Sequence, residues 1–190
     1  MNLGHVPPPP AKTYRIGAVG SGFIMRDVQK VAYRNAGFDV VANAAGPDAG
    51  EVRALLDNPQ VEILDIAIPP HAQLDVVRQA LTRKHIRGIL AQKPLATNYK
   101  DAVETVRLCE AAGVTLAVNQ NMRYDQSIRA LKTLLTGGDL GTPVLATIEM
   151  RAIPHWQTWL RDYDRLTLLN MSIHHLTPSA SSLAILAVSI

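Results

Sequence analysis

Short apolar runs alternate with helix-patterned segments from residue 14 to residue 136, and no other feature of the sequence constrains the fold as strongly. Strands that alternate with helices build a parallel sheet whose successive strands are joined by crossover helices. The sequence therefore predicts an α/β fold with a doubly wound parallel sheet. Strands are predicted at residues 14–19, 39–44, 61–68, 86–91 and 114–118, and helices at 24–36, 51–57, 72–83, 99–113 and 124–136.

The connection between the second and third predicted strands is unusually short. Only one short helix fits between residues 44 and 61, where a doubly wound fold normally places a helix, a strand and another helix. The chain is therefore predicted to lack the strand that usually lies at this edge of the sheet. Its loss would leave the second strand as the new edge.

Parallel sheets of this kind bind ligands beyond the carboxyl ends of their strands. The first such position carries the turn Gly20-Ser21-Gly22, between a strand and a helix. Gly20 allows the tight turn, Gly22 lets the backbone approach a pyrophosphate, and the helix N-terminus favours anionic phosphates. In this context the turn indicates a Rossmann dinucleotide-binding domain, although Met25 replaces the third small residue of the usual fingerprint. A tight turn without a ligand is the alternative. The other positions at this edge are residues 45, 69–71, 92–94 and 119–123.

The carboxylate that usually binds the adenosine ribose is missing from its expected place after the second strand. Asn43, Ala44, Ala45 and Gly46 stand there, and Asp48 lies beyond Pro47. The sequence therefore leaves NAD and NADP both open as the cofactor.

Composition excludes several classes of function. The net charge of +3 comes from scattered basic residues without interleaved aromatics, so no nucleic-acid partner is expected. No run is long and apolar enough to span a membrane, and residues 1–13, with four consecutive prolines, predict a flexible tail rather than a secretory signal. The single cysteine, Cys109, cannot support a disulfide framework, which favours a cytoplasmic location.

Five runs resemble the Gfo/Idh/MocA oxidoreductases, the family of glucose–fructose oxidoreductase and inositol dehydrogenase. They are residues 15–25 (RIGAVGSGFIM), 62–71 (EILDIAIPPH), 91–96 (AQKPLA), 113–124 (GVTLAVNQNMRY) and 170–176 (NMSIHHL). The resemblance implies an N-terminal Rossmann domain followed by an α/β domain whose open sheet carries the substrate. It also implies oxidation of a sugar or polyol hydroxyl, with hydride passing to NAD or NADP.

The resemblance also assigns roles to individual residues. Lys93 matches the active-site lysine, whose ammonium would hydrogen-bond the reacting hydroxyl and favour loss of its proton. His174 matches the general acid/base. Asn170 takes the place of the family's aspartate but cannot carry its charge, and Gln92 replaces the usual glutamate before Lys93. The predicted catalytic residues are therefore Lys93, His174 and Asn170.

Further residues are predicted to bind the cofactor or the substrate. The predicted cofactor-binding residues are Gly20, Gly22, Phe23, Ile24, Ala45, Ile68, Pro69, His71, Gln92, Lys93, Asn119 and Gln120. Arg123 and Trp159 are predicted to contact the substrate, and no metal site is predicted.

Plainer interpretations of several of these residues stay open. Lys93 could be a solvated surface lysine, His71 a helix cap, Arg123 a polar residue at a helix entry, and Trp159 a packing residue. His174 and its neighbour His175 could bind a metal, but adjacent residues point apart on a helix and no third ligand is evident.

The predicted domain organisation has four parts. A flexible tail spans residues 1–13, the Rossmann domain 14–141, the start of a substrate domain 142–176, and a tail unlike the family 177–190. Strands are predicted at 144–151 and within 156–163. The tail sequence after Leu176 can be written as a one-nucleotide frameshift of the string that the family would have. We interpret it as an out-of-frame readout, with a natural Ser/Ala-rich tail as the alternative, so the second α/β domain is expected to be truncated.

Two functional hypotheses follow. The first is an NAD(P)-dependent oxidoreductase whose partner is a small sugar or polyol substrate. The second is a truncated, catalytically inactive nucleotide-binding module. The family commonly pairs through the sheet of its second domain, and a homo-oligomer of this kind is doubtful for a chain expected to lack most of that sheet.

Overall fold

The computed structural model describes residues 12–149, 164–165 and 167–176. The chain divides between Asn119 and Gln120 into two compact units. The tail predicted at residues 1–13 lies outside the described residues except for residues 12 and 13. The tail predicted at 177–190 lies outside them entirely, as do residues 150–163 and 166. The domain boundary expected near Gly141 stays a prediction.

The first unit is built on a five-stranded, all-parallel sheet with the strand order β2-β1-β3-β4-β5. The chain runs outward from β1 to β2 and then returns to the other side of β1. The order therefore reverses at the β1–β3 pair, which is where a doubly wound sheet opens a crevice for its ligand. The strands are β1 (Ile16–Val19), β2 (Val40–Ala44), β3 (Ile63–Ile66), β4 (Gly88–Gln92) and β5 (Thr115–Asn119), which confirms the five predicted strands with bounds that differ by at most two residues.

Strand β2 is an edge of this sheet, as the short connection predicted. It pairs only with β1, and a single helix lies between it and β3. An open groove of about 600 Å³ runs along β2, where another strand would otherwise lie. The groove is lined by Lys30, Arg34, Gly37, Phe38, Asp39, Val40, Val41, Ala42 and Asn43.

Four helices connect the strands of the first unit. They are α1 (a π-helical stretch, Ile24–Gln29, that continues as the α-helix Lys30–Asn35), α2 (Ala49–Leu56), α3 (Pro70–Ala80) and α4 (Tyr99–Ala111). Side chains fix two of their starts, since Asp48 accepts hydrogen bonds from the amides of Gly50 and Glu51, and Asn98 accepts one from Asp101. Helix α3 begins with Pro70, whose missing N–H costs nothing at a first helical position.

The two faces of β3 show why the fold is doubly wound. Leu64 and Ile66 point into an apolar core with residues of α2 and α3, such as Val52 and Val77. Asp65 lies between them in sequence and therefore points to the opposite face, because side chains alternate along a strand. There it accepts hydrogen bonds from two side chains of α1, so helices cover both faces of β3.

The second unit contains a 3₁₀ turn (Asn121–Tyr124), helix α5 (Gln126–Gly137) and a π-helical turn (Thr167–Ser172). The Asp125 side chain accepts a hydrogen bond from the Ser127 amide at the start of α5, and Gly138 ends that helix in the left-handed conformation with φ 80°.

The strand predicted at residues 144–151 is wrong for residues 144–149, which have no regular secondary structure. Val144 and Leu145 are 89% and 81% exposed. Apolar alternation predicts a strand only where a neighbouring strand supplies hydrogen bonds, and the described part of this unit contains none. Residues 150–151 and the strands predicted within 156–163 lie outside the described residues.

None of the helices in the described ranges is long and apolar enough to cross a lipid bilayer.

Candidate functional site

The glycine turn after β1 lies at the carboxyl edge of the sheet and is fixed by its neighbours. The Gly20 amide donates a hydrogen bond to the Ala44 carbonyl at the end of β2. Gly20 has a φ of +123°, and a Cβ there would lie 2.3 Å from the Ala67 carbonyl oxygen. Only glycine fits this position, because both the conformation and the contact exclude a side chain.

Gly22 differs from Gly20, because no atom lies within 4 Å of the position that its Cβ would occupy. Its carbonyl accepts a hydrogen bond from the Arg26 amide, so the amides of Phe23, Ile24 and Met25 belong to the first turn of the helix, which has no carbonyl partners for them. Phe23 is exposed and Met25 is fully buried. The backbone at Gly22 therefore presents open space beside a helix N-terminus, which is the arrangement that accommodates an anion.

The end of β2 is joined to this turn by side chains. The Ser21 hydroxyl donates a hydrogen bond of 2.9 Å to the Ala45 carbonyl. The Ala45 amide in turn donates one of 2.7 Å to Oε2 of Glu51, in the first turn of α2. A carboxylate therefore does reach the end of β2, although the sequence places none in that segment.

The turn after β3 carries Ile68, Pro69 and His71. Ile68 is 7% exposed and belongs to the apolar core, whereas His71 is exposed in the first turn of α3. The structure therefore places these predicted residues at the carboxyl edge of the strand next to β1, with Pro69 as the residue preceding the helix.

The turn after β4 holds Gln92 and Lys93, and a buried side chain of α3 supports it. Gln73 is completely buried, and its Nε2 donates hydrogen bonds to the carbonyls of Gln92, at 3.2 Å, and Pro94, at 2.9 Å. The peptide bond between Lys93 and Pro94 is cis. Burial lowers the pKa of the Lys93 ammonium below its ordinary value. Lys93 is therefore a half-buried lysine in a turn that Gln73 supports.

Two further polar groups belong to the same edge. Asn119 ends β5 directly beside Gln92 in the strand register. The Gln92 amide nitrogen is buried and makes no hydrogen bond to any residue of the described ranges. A buried donor of this kind is normally satisfied, so a polar ligand atom is a suitable partner for it.

The remaining predicted residues belong to the second unit. Gln120 and Arg123 lie at its start, where the Arg123 amide donates to the Gln120 carbonyl. Asn170 is 8% exposed in the π-helical turn, and His174 follows in the same helical run. Trp159 lies outside the described residues.

The sequence did not predict the roles of three residues, namely Asp65, Glu51 and Gln73. Asp65 is the centre of a buried polar cluster. Asp65 is fully buried and accepts hydrogen bonds from Gln29 Nε2, at 3.1 Å, and from the Tyr33 hydroxyl, at 2.6 Å. Burial raises the pKa of Asp65 to about 6, against the lowering effect of these two hydrogen bonds. Burial and the neighbouring carboxylate raise the pKa of Tyr33 as well. The cluster ties α1, which starts at the glycine turn, to the centre of the sheet.

The other two are Glu51 and Gln73. Glu51 stands three residues after Asp48, the spacing of a helix capping box, which was the available signal. For Asp65 the signal was an acid inside a run that otherwise reads as a buried strand. Gln73 carried no comparable signal in the sequence.

No three His, Cys, Asp or Glu side chains of the described ranges come together as metal ligands would.

Comparison with known proteins gives a consistent result. Residues 25–120 match the family model of the Gfo/Idh/MocA group, described as an oxidoreductase family with an NAD-binding Rossmann fold. A D-apiose dehydrogenase of Paraburkholderia graminis is 30% identical over 187 residues, a match that covers 86% of this chain and 48% of that protein. The chain spans less than half the length of the curated relatives that it matches.

Two solved structures share the fold. An oxidoreductase from Thermotoga maritima superposes with a TM-score of 0.72 at 18% identity, over 89% of this chain and 59% of that chain. An inositol dehydrogenase homologue from Azotobacter vinelandii, crystallised with NADH and myo-inositol, superposes with a TM-score of 0.57 at 20% identity, over 69% of this chain and 41% of that chain.

Proposed function

The chain belongs to the Gfo/Idh/MocA family of oxidoreductases, and from this premise we propose that it binds a nicotinamide dinucleotide along the carboxyl edge of its sheet and serves the oxidation of a sugar or polyol hydroxyl. The observation that carries the proposal is the glycine turn. Gly22 leaves open space beside the first amides of α1, at the strand pair where the order of the sheet reverses.

The residues at this edge fit such a cofactor. The turn from Gly20 to Ile24 would hold the pyrophosphate, and Ala45 would border the adenosine side. The turns after β3 and β4 would border the nicotinamide side, where the unsatisfied Gln92 amide offers a donor. The bound dinucleotide would supply the hydride acceptor at its nicotinamide ring.

The chemistry assigned to this chain's own residues concerns the substrate hydroxyl. Lys93 would hydrogen-bond that hydroxyl, and its ammonium would stabilise the oxygen as the proton leaves. His174 would take the proton as general base. Asn170 would orient a neighbouring group by hydrogen bonding, because an amide cannot support the charge of an imidazolium as a carboxylate does. Arg123 and Trp159 are the residues proposed to contact the sugar.

The names of the relatives support this class of substrate. One relative is a D-apiose dehydrogenase, and another, from Ensifer adhaerens, is a 1,5-anhydro-D-fructose reductase that is 28% identical over 155 residues. Both names describe redox chemistry on sugars. A small sugar or polyol is accordingly the proposed substrate.

A second candidate function is a nucleotide-binding module without turnover. Two observations favour it: Asn170 carries no charge, and residues 143–149, just after α5, form no part of a sheet. This candidate shares the cofactor site with the first and differs only in the chemistry.

A titration of the chain with NADH and NADPH, followed by fluorescence, tests the shared claim. Gly22→Asp should weaken binding at least tenfold, because its carboxylate would face the phosphates. Gln60→Asp is the control, since it adds the same charge in the exposed turn before β3, at the opposite edge of the sheet. A folded chain that binds neither dinucleotide would contradict the proposal.

Turnover separates the two candidates. A panel of sugars and polyols is incubated with the chain and NAD or NADP, and the absorbance of the reduced cofactor is followed. Reduction that depends on Lys93 supports the oxidoreductase, whereas binding without reduction of either cofactor supports the module.

A further inference from the structure

We infer that Glu51 is the carboxylate that recognises the adenosine ribose and selects NAD over NADP. This inference rests on the proposed function and adds the cofactor preference, which the sequence left open. The carboxylate comes from the first turn of α2, and not from the end of β2 where a Rossmann sheet usually carries it.

The position of Glu51 follows from two short contacts. Ser21 of the glycine turn binds the Ala45 carbonyl at 2.9 Å, and the Ala45 amide binds Glu51 Oε2 at 2.7 Å. One residue therefore links the turn proposed to hold the pyrophosphate with the carboxylate. The adenosine ribose is the next group along the dinucleotide from the pyrophosphate, so the carboxylate lies on the side where the ribose would extend.

The Ala45 contact also orients the carboxylate. In a capping box the glutamate at this helix position turns back to the amide of the helix cap itself. Here the cap is Asp48, and Glu51 reaches past it to Ala45. Oε1 of Glu51 makes no hydrogen bond to a residue of the described ranges, which leaves an acceptor at an exposed position.

The charges of the segment that carries this carboxylate favour one dinucleotide over the other. Residues 43–51 (NAAGPDAGE) contain two acids and no lysine, arginine or histidine. The acid Asp48 is engaged as the cap, with Oδ1 bound to the amides of Gly50 and Glu51. A free ribose 2′-hydroxyl donates a hydrogen bond to a carboxylate, whereas a 2′-phosphate brings negative charge against it with no cation in the segment to neutralise it. The segment therefore suits NAD and repels NADP.

The test compares the dissociation constants of NADH and NADPH for the full chain and for Glu51→Gln. Glutamine keeps an oxygen that can accept from the Ala45 amide, so the local structure has the same hydrogen bond without the charge. The wild-type chain is expected to bind NADH at least tenfold more tightly than NADPH. In Glu51→Gln this ratio should fall by about tenfold, because NADPH binding improves and NADH binding weakens.

Asp57→Asn is the matched control, because it removes the same charge at the other end of α2 and should leave the ratio unchanged. A second measurement uses the wild-type chain alone. Added salt screens the repulsion, so the NADH-to-NADPH preference should shrink between low and high ionic strength. This measurement applies even if a variant folds poorly.

The outcomes separate the inference from its premise. Equal affinities for both dinucleotides, or an unchanged ratio in a folded Glu51→Gln, would overturn the role of Glu51 and leave the dinucleotide site in place. A folded wild-type chain that binds neither dinucleotide would overturn the proposed function, and the inference with it.

Discussion

Gly20 and Gly22 belong to the same turn, but only Gly20 is constrained by the backbone conformation and by neighbouring protein atoms. Gly20 is required by the protein itself, since its φ is +123° and a Cβ would meet the Ala67 carbonyl at 2.3 Å. Gly22 meets nothing within 4 Å and has no such conformation. Any requirement for glycine at position 22 must therefore come from a ligand.

This contrast gives the first prediction. Gly20→Ala should lower the free energy of unfolding by more than about 2 kcal/mol, since a strained conformation alone costs about 1–3 kcal/mol. Gly22→Ala should change it by less than about 1 kcal/mol, as an exposed substitution does. Urea unfolding followed by circular dichroism measures both, and equal losses in the two variants would contradict the distinction.

The buried carboxyl of Asp65 gives the second prediction, which concerns pH. Its pKa in the folded chain is about 6, above the ordinary value of 3.8. Below about pH 4 both states hold the proton, and above pH 6 neither does, so the unfolded chain loses its proton first as the pH rises between these values. The free energy of unfolding should therefore fall over this window by roughly 3 kcal/mol through Asp65 alone.

Asp65→Asn tests this expectation, because asparagine stays neutral and can still accept a hydrogen bond from Gln29. Urea unfolding at several pH values between 4 and 7 should show that the variant lacks this fall. Glu62→Gln is the control with the opposite sign, since the Arg15 amide and the Lys12 ammonium lower the pKa of Glu62, whose contribution is lost as the pH falls. Identical pH profiles for the wild type and Asp65→Asn would refute the assignment.

At the residue scale, the sequence predicts positions better than partners. Gly20, Gly22 and Lys93 were located because strand ends and turns have local signals. Gln73 was missed because its contacts with the carbonyls of Gln92 and Pro94 are made across the fold and do not follow from the spacing of residues along the chain. Glu51 has the spacing of a capping box, but its hydrogen bond is to the amide of Ala45, six residues earlier, and not to the Asp48 amide that this spacing predicts.

Helices and strands were likewise predicted where their pattern is local, and missed where they depend on a partner elsewhere in the fold. All five strands and the four helices of the first unit were predicted, because each has enough apolar periodicity to be recognised alone. The π-helical start of α1 was not predicted, since it differs from an α-helix only in its hydrogen-bond pattern. The strand expected at residues 144–149 failed because strand formation depends on a partner that no local pattern reveals.

The start of α4 gives the third prediction. Asn98 Oδ1 accepts a hydrogen bond of 2.9 Å from the Asp101 amide. Asn98→Ala should lower the free energy of unfolding by about 1 kcal/mol, because the amide loses its acceptor. Asn98→Ser should recover most of this loss in the same urea measurement, and a serine variant no more stable than the alanine variant would contradict the capping role.

The contact between α3 and the turn after β4 gives the fourth prediction. Gln73→Leu removes the donor that the Gln92 and Pro94 carbonyls share, which should cost about 1–3 kcal/mol of unfolding free energy. It should also weaken NADH binding under conditions where the chain stays folded, because the turn that carries Lys93 loses its support. Gln79→Leu, on the same helix but bonded only within it, should change neither quantity by as much. Normal NADH affinity in a folded Gln73→Leu would show that the turn needs no such support.

For the molecule as a whole, the order of the strands places the proposed cofactor site where a doubly wound sheet binds its ligand. The order β2-β1-β3-β4-β5 places the glycine turn at the point of reversal, with the turns after β3 and β4 at the same edge. The missing strand beyond β2 leaves a groove along that strand, lined by residues 37–43 together with Lys30 and Arg34. A dinucleotide that binds as proposed should therefore contact residues at the carboxyl edge of the sheet and none at its amino-terminal edge.

The most direct measurement is a ¹H–¹⁵N NMR titration of the chain with NAD. The account predicts that the largest chemical-shift changes occur at the amides of Ser21 to Met25 and of Ala45, while those of Gln60 and His85, in turns at the opposite edge, stay in place. Shifts that leave the glycine turn unchanged, or a folded chain whose spectrum does not respond to NAD at all, would contradict it.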